Sequence, residues 1–254
     1  GSKLVSDVRY GASWFLQVKE NTHRWWVMLS RDVGLNQTRI IVVTALCLIL
    51  GGVFFRQPVE GADGYQLWIS KTGTYFAGVF FTCMIQGIMV IPVFAESKAA
   101  FYRERASRTY SVTAFLVGRS ICELPWVMLT VGIWTASFYP MVLGYSDAGA
   151  IAWAYLVMVI FTLQMINMAE MLSVLVPTAG AAEMLYASLG GLLNLFAGFF
   201  IPLQRIPWPW KILYYGNPAR YGLGAITPDQ FWCSHSCLKD NPGTSQSVDA
   251  TTWP

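Results

Sequence analysis

Five long runs without a charged side chain constrain this chain more than any other feature of its sequence. They cover residues 40–55, 72–95, 124–146, 148–169 and 184–204. A helix needs about 20 apolar residues to cross a hydrocarbon core about 30 Å thick, and these runs approach or exceed that length. We therefore predict an all-α fold, a polytopic bundle of five transmembrane helices within residues 37–204. The first run is short, and its helix needs residues 36–39 as a start at the membrane surface.

Composition decides between this bundle and a large soluble core built from buried helices. Of the 254 residues, 55% are hydrophobic and only 12% are charged. A typical soluble domain has about twice that charged fraction, so too little polar surface is left to cover five such runs. The net charge of +3 comes without a basic tail or a block of like charge, which argues against a nucleic-acid partner.

The distribution of basic residues predicts the orientation of the spans. Of the seventeen Lys and Arg residues, eleven precede the first run or lie between the second run and the start of the third. If the spans alternate, these eleven lie on one side, and an excess of Lys and Arg marks the cytoplasmic side. The N-terminus is therefore expected in the cytoplasm. The spans are expected to cross the plasma membrane or an organelle membrane.

Residues 1–36 are predicted to form a cytoplasmic connecting segment with an amphipathic helix at residues 10–32. Apolar side chains recur at helical spacing from Trp14 through Val18 and Trp25 to Leu29, and charged residues occupy the other faces. Such a helix buries one face at the headgroup boundary. The alternative is an ordinary solvated linker.

The stretch "FYRERASRTYS" at residues 101–111 places four charges within eight residues, between two apolar runs. A cytoplasmic loop near residues 96–110 accounts for the charge, but not for the alternating signs in "RERASR". The neighbouring Phe101, Tyr102 and Tyr110 either form an interfacial aromatic belt or dock onto a partner.

The third span begins with an ion pair in "GRSICELPW". Arg119 and Glu123 are four residues apart and so lie on one helix face. Each would cost about 2.5–3.5 kcal/mol at a bilayer centre, and far less near a helix end. We interpret the pair as a polar hub that ties the charged loop to the bundle; the alternative is simple snorkelling. In the fifth span, the lone polar Asn194 either bonds a neighbouring helix or faces a cavity.

Residues 205–254 are predicted to form an outer re-entrant segment and an extracellular loop. The stretch "IPWPWKILYYGNPARYG" holds three prolines and two tryptophans, which do not suit a plain span. Farther on, Cys233 and Cys237 would meet an oxidising environment, so a disulfide to each other or to a partner chain is an option. Zinc binding through His235 is a weaker option because further ligands are not evident, and we predict no metal site.

The sequence contains none of three common catalytic motifs. The phosphate loop G-x-x-x-x-G-K-[ST] is missing, as are H-E-x-x-H and G-x-S-x-G. We therefore predict no catalytic residue, no ATPase site and no cofactor in this chain.

Taken together, the order of these parts resembles a known family. The stretches "FYRERASRTYS" and "CELPW", then "NLFAGFFIP", "IPWPWKILYYGNPARYGL" and "DQF", follow one another as in the transmembrane domain of ABC transporters of the G subfamily, the ABC-2 exporter type. The similarity is greatest to the pleiotropic drug resistance branch and runs from about residue 13 to residue 232. Each motif alone would be weak, and together they are specific.

The resemblance assigns roles to the charged residues. It implies that residues 97–107 form a short coupling helix resting on a nucleotide-binding domain, which would bind ATP and Mg. The polar hub beneath it would consist of Glu96, Arg119 and Glu123. The residues implied in coupling to the ATPase are Arg103, Glu104, Arg105 and Arg108.

It also implies a central cavity, lined by the second and fifth spans, at a two-fold or pseudo-two-fold interface with a second transmembrane domain. Such a cavity would be apolar and aromatic, suited to hydrophobic or amphipathic substrates. Phe199 and Phe200 would form an outer gate. The residues implied in the cavity are Phe76, Phe80, Met84, Ile88, Gly191 and Asn194.

The family domain has six spans and works with an ATPase, whereas five runs and no phosphate loop are recognised here. The sixth span and the nucleotide-binding domain are therefore expected on a longer polypeptide or on separate chains. An ATP-driven exporter working by alternating access is the leading functional hypothesis. A non-transporting structural membrane subunit is the alternative. A channel is a weaker third option, because no ring-forming charges stand out in the spans.

Overall fold

The computed structural model describes residues 10, 12–55, 64–142, 148–197, 199–201 and 206–231, without the side chains of residues 64–71, 223 and 226–231. In these ranges the chain forms helices and turns and no strand. The predicted all-α bundle is thus confirmed. The helices are α1 (Trp14–Arg31), α2 (Val33–Val53), α3 (Gly64–Ala106), α4 (Val112–Val142), α5 (Ala148–Leu175), α6 (Ala179–Leu195), α7 (Lys211–Tyr215) and α8 (Pro218–Phe231).

Within the described ranges, four helices are long and apolar enough to cross a membrane. They are α2, the part of α3 from residue 72 onward, α4 and α5. The fifth predicted span, at residues 184–204, corresponds to the 17-residue α6, which starts and ends earlier. Its start is set by Thr178, directly after Pro177, because the Thr178 hydroxyl accepts a hydrogen bond from the Ala181 amide at 3.3 Å.

Four helix termini meet at one end of the bundle: the starts of α2 and α4 and the ends of α3 and α5. Ion pairs join α2 to α4 and α4 to α5, and a side-chain hydrogen bond to a backbone carbonyl joins α3 to α5. Helix α1 packs on α4 at this end, which we call the α1 end. Gly118 permits the close approach of α1, since a Cβ there would lie 3.1 Å from Asn21 Cβ and 3.2 Å from the Thr22 backbone nitrogen. The buried face of α1 consists of Gln17, Asn21, Trp25 and Leu29.

Helix α3 continues without a break through Pro92 to Ala106. The predicted coupling helix at residues 97–107 is therefore the final part of α3, and only residues 107–111 connect it to α4. The reason is local, because "AESKAAFYRERA" consists mostly of good helix formers and contains no breaker. The helix stops where Arg108 adopts the left-handed conformation, with φ of 55°.

The main core lies between α3, α4 and α5 and is rich in aromatic rings. Trp134 stacks on Phe138 with centroids 4.8 Å apart and meets the edge of Tyr75 at 5.6 Å. All three are buried. Gly78 lets α3 approach this core, because a Cβ there would lie 2.7 Å from Phe138 Cζ.

Candidate functional site

Four charged side chains from three helices meet inside the bundle at the α1 end. They are Arg39 of α2, Arg119 and Glu123 of α4, and Glu170 of α5. Each of these side chains is at most 3% exposed. We call them the buried ion cluster. Because two are cations and two are anions, the cluster carries no formal net charge when all four are ionised.

Cations and anions alternate in the series of contacts from Arg39 through Glu123 and Arg119 to Glu170. Arg39 donates from Nη1 to Glu123 Oε2 at 2.8 Å and from Nη2 to Oε1 at 3.3 Å. Arg119 Nη2 lies 2.9 Å from Glu123 Oε1, and Arg119 Nε donates to Glu170 Oε1 at 2.7 Å. Removing a single member would leave an uncompensated charge in the interior, which is strongly destabilising.

Helix α1 joins the cluster through an aromatic ring. The Arg119 guanidinium carbon lies 4.2 Å from the centroid of the Trp25 ring, and Trp25 is only 4% exposed. A desolvated cation over an indole face is attracted by about 2 kcal/mol. Helices α1, α2, α4 and α5 are therefore connected at this one point.

The structure brings together part of the predicted polar hub. Arg119 and Glu123 form the ion pair expected from their spacing, whereas Glu96 is exposed and forms no ion pair with a described residue. Sequence reasoning missed Arg39 and Glu170 as members of the cluster, and placed Arg39 only at the start of a span. The available signal was topological, since both are charges beside apolar runs at the same end of an antiparallel bundle.

Glu104 connects α3 to α1 and to the α3–α4 turn. Arg24 Nη1 lies 2.7 Å from both carboxylate oxygens of Glu104, and the Tyr110 hydroxyl donates to Oε2 at 2.6 Å. The hydrogen bond to Glu104 raises the pKa of Arg24, and burial, followed by the bond to Glu104, raises the pKa of Tyr110. Glu104 thus has two partners within the chain. The other residues implied in coupling, all exposed, are Arg103, Arg105 and Arg108.

The Arg24–Glu104 pair is expected to contribute modestly to stability. Its side chains are 53% and 29% exposed, and pairs of this kind are worth about 0.2–1 kcal/mol. A double-mutant cycle with Arg24→Gln and Glu104→Gln, read by thermal unfolding in detergent, should give a favourable coupling energy in that range that shrinks at high salt. A coupling energy of zero at low salt would show that the contact does not hold α1 to α3.

Two of the three aromatic residues around the charged stretch are buried against α4. Phe101 lies 4.6 Å from Phe115 between centroids, and Tyr110 stacks on the same ring at 5.6 Å. Phe101 and Tyr110 are each 7% exposed, whereas Tyr102 is 42% exposed. Of the three, only Tyr102 faces outward, where it is open to a membrane interface or a partner.

Four of the residues implied in a substrate cavity, Phe76, Phe80, Met84 and Ile88, form a stripe along α3 that faces α6. Phe76, Phe80 and Met84 are nearly buried, at 3%, 7% and 8% exposure, and Ile88 is half-buried. Met84 contacts α6 at Gly190, where a Cβ would collide with the Met84 side chain. A cleft of about 530 Å³ opens between α4 and α5 instead, and none of the residues implied in the cavity lines it.

The two phenylalanines implied in an outer gate pack against the other end of this stripe. Phe199 stacks on Phe76 at 5.1 Å, and Phe200 meets the edge of Phe76 at 5.6 Å. On α6, Gly191 is exposed and Asn194 is half-buried. The Asn194 Oδ1 atom has no hydrogen-bond partner among the described residues, so the expected bond to a neighbouring helix is not seen at this atom.

The segment after α6 returns to the bundle. Asn217 donates to the Leu193 carbonyl at 2.5 Å, and the Trp153 indole of α5 donates to the Ala225 carbonyl of α8 at 2.9 Å. The first contact ties the start of α8 to α6 and the second holds α8 beside α5, in the region expected to be re-entrant. Cys233 and Cys237 lie outside the described residues. Where the structure describes the chain, no group of three His, Cys, Asp or Glu side chains is placed to hold a metal.

Comparison with known proteins agrees with this architecture. A family model described as ABC-2 type transporter matches residues 16–231. The chain belongs to the ABC-2 type transporter family. This ABC-2 domain is 29% identical over 253 residues to pleiotropic drug resistance protein 1 of Nicotiana tabacum. It is 30% identical over 229 residues to ABC transporter G family member 38 of Oryza sativa subsp. japonica. It is 33% identical over 202 residues to ABC transporter G family member 30 of Arabidopsis thaliana.

The three matches cover 97%, 90% and 79% of this chain. They confirm the resemblance to the G subfamily and its pleiotropic drug resistance branch. The family and the four long apolar helices identify an integral membrane protein. The chain spans only 17%, 15% and 14% of the length of these relatives. The comparison therefore identifies an ABC-2 membrane domain and does not by itself assign the activity of a whole transporter.

Proposed function

We propose that this ABC-2 domain is the membrane-spanning part of an ATP-driven exporter of hydrophobic or amphipathic small molecules or lipids, working by alternating access. The observation that carries the proposal is the continuity of α3. This one helix joins the exposed Arg103 and Arg105 to the Phe76–Phe80 stripe. At 1.5 Å per residue, the distance from Arg103 to Phe76 is about 40 Å. A force on the charged end is thereby carried toward the stripe along one helix, which continues unbroken through Pro92.

The end of α3 is suited to receive that force from an ATPase. Arg103, Arg105 and Arg108 are exposed, while Glu104 fastens the same turn to α1. A nucleotide-binding domain, on the same polypeptide or on a separate chain, would supply ATP and Mg and contact these arginines through its acidic side chains. The excess of Lys and Arg at this end supports its assignment, with the N-terminus, to the cytoplasm.

The buried ion cluster would act as the fixed point of the movement. Its contacts join α1, α2, α4 and α5, whereas α3 contributes no charged member. Helix α3 would shift against this frame, and the shift would have to break the exposed Arg24–Glu104 pair and exchange contacts between α3 and α5. Because α3 packs on α6, the shift would change the surface that the Phe76 stripe and α6 present to a second transmembrane domain, and would move Phe199 and Phe200.

The side chains on this path favour apolar substrates. The stripe on α3 is aromatic and aliphatic, and Phe199 and Phe200 extend it. Such a lining binds hydrophobic or amphipathic molecules through buried apolar area, with few polar groups to select among them. Asn194 supplies one amide oxygen free of partners among the described residues, which would accept a hydrogen bond from a substrate.

One observation favours the alternative, a structural membrane subunit without transport activity. Phe76 and Phe80 are covered within the single chain, at 3% and 7% exposure, so they do not line an open cavity there. An exporter requires these rings to be uncovered in another conformation.

Isolation of the native protein from its membrane separates the two functions. The protein is purified in mild detergent by an affinity tag, its peptides are mapped for a phosphate-loop sequence, and ATP hydrolysis is measured. The exporter predicts a phosphate-loop ATPase in the complex, on the same or another chain, with hydrolysis that vanadate inhibits. Recovery of membrane partners alone, with no hydrolysis above background, would contradict it and favour the structural subunit.

A further inference from the structure

A lysine near the end of α3 closes the end of α5. Lys98 Nζ donates to the Ser173 carbonyl at 2.9 Å and to the Val176 carbonyl at 2.6 Å. Ser173 lies in the last turn of α5, and Val176 begins the α5–α6 turn. Lys98 itself is half-buried, so its ammonium group is directed into the protein rather than into solvent. Neither the predicted coupling set nor the predicted hub includes it.

These two carbonyls belong to a helix end that needs donors. The last four carbonyls of a helix have no partner within the helix, and the end carries a partial negative charge. A lysine ammonium has three donors and a full positive charge, which suits both requirements. The helical partner of the Ser173 carbonyl would be the amide of residue 177, but this residue is Pro177, which has no backbone N–H. Lys98 therefore supplies the donors and the positive charge that this helix end lacks.

The same turn controls where α6 begins. Only residues 176–178 separate α5 from α6. Beyond the turn, α6 packs on α3 at two close approaches: Tyr186 lies against Gly87, and Gly190 lies against Met84. Lys98 thus adds a polar contact at the start of α6 to apolar contacts along its length, all of them to α3.

We propose that Lys98 is a positioning residue that ties the α5–α6 turn to the end of α3, so that α6 follows α3 when that end is moved. The Lys98 side chain thereby connects the end of α3, which bears Arg103 and Arg105, to α6, which bears Asn194. The contact of Lys98 with the two carbonyls, called the fixed contact below, depends on the fold alone. Its role in coupling rests on the proposed export function.

The fixed contact is tested without transport, by hydrogen exchange of the full native protein in detergent. Lys98→Met and Lys98→Gln should raise the exchange of amides in residues 176 and 178–182 about tenfold, as expected for a lost charged hydrogen bond at a helix end, while the α4 core is unchanged. Lys98→Arg should restore most of the protection, because it keeps the charge and several donors. The matched control Lys19→Met removes an exposed lysine of α1 and should leave this region unchanged. Unchanged exchange in both Lys98→Met and Lys98→Gln would overturn the proposal.

The coupling role is tested by the ratio of substrate transported to ATP hydrolysed. For Lys98→Met the ratio should fall at least about fivefold while hydrolysis continues, and Lys98→Arg should recover it. A purely local stabilising role would change protein yield and exchange but leave the ratio intact, which would overturn the coupling claim. If the unaltered protein shows no ATP-driven transport, the export function fails, and the exchange experiment still decides whether the contact exists.

Discussion

Replacing Glu123 with Gln is expected to destabilise the protein by about 3–5 kcal/mol and to abolish transport. Glu123 is the one carboxylate paired with both arginines of the buried ion cluster, and its side chain is 1% exposed. Loss of its charge leaves Arg39 without a paired anion and leaves Arg119 with Glu170 alone. The measurement is thermal unfolding in detergent, together with the yield of monodisperse protein.

The control for this change is Glu20→Gln, which removes an exposed carboxylate from α1. Surface changes of this kind usually alter stability by no more than about 0.5 kcal/mol. If the unfolding temperatures of the two variants agree within error, the buried ion cluster does not hold the helices together, and the mechanism loses its fixed point.

Removing Arg119 and Glu170 together is expected to be less damaging than removing Arg119 alone. Arg119→Met leaves Glu170 buried without a cation and should cost about 3–5 kcal/mol. In the double variant Arg119→Met/Glu170→Met, the Arg39–Glu123 pair remains complete, so no unpaired charge is left in the interior. The contact between Arg119 and Trp25 is lost in both variants, so the double variant should not regain full stability.

The same unfolding measurement on Arg119→Met, Glu170→Met and the double variant completes the cycle. We expect a coupling energy of about 1–3 kcal/mol between the two sites, the range for residues in one ionic network. Additive losses would mean that Arg119 and Glu170 do not stabilise each other, despite the 2.7 Å separation of Nε and Oε1.

The apolar runs were sufficient to predict the bundle, because a chain with so little charge has few ways to satisfy its backbone other than helices in a membrane. They were not sufficient to place every helix end. The start of α6 depends on Thr178 capping after Pro177, and the end of α3 depends on a run of helix formers extending past the apolar segment. Both helix ends depend on local sequence, and the positions of charged residues alone do not predict them.

The candidate site was predicted in part for a similar reason. Arg119 and Glu123 belong to one helix, so their contact follows from i,i+4 spacing. Arg39 and Glu170 reach the same point from other helices, and Arg24 reaches Glu104 from α1. Contacts between helices depend on rotation and depth in the packed bundle, which spacing within one helix does not determine. Lys98 was missed because its partners are backbone carbonyls, which have no signature in a sequence.

A neutral cluster at the meeting point of several helices also explains how charge is tolerated in this interior. An isolated arginine or glutamate there would be expensive, whereas alternating pairs compensate one another's charge, with the Trp25 ring beside Arg119. Buried networks of this kind lose most when one member is changed alone. The cluster is therefore both a structural frame and a sensitive point of the proposed mechanism.

The most direct test of the central claim is transport itself, measured in inside-out membrane vesicles that contain the full native protein. Fluorescent hydrophobic and amphipathic compounds are added with ATP, with a non-hydrolysable ATP analogue, or with ATP and vanadate. The account predicts accumulation of at least one compound inside the vesicles with ATP only, and its loss in the Glu123→Gln variant. Equal uptake under all three conditions, in vesicles where the native protein hydrolyses ATP, would contradict it.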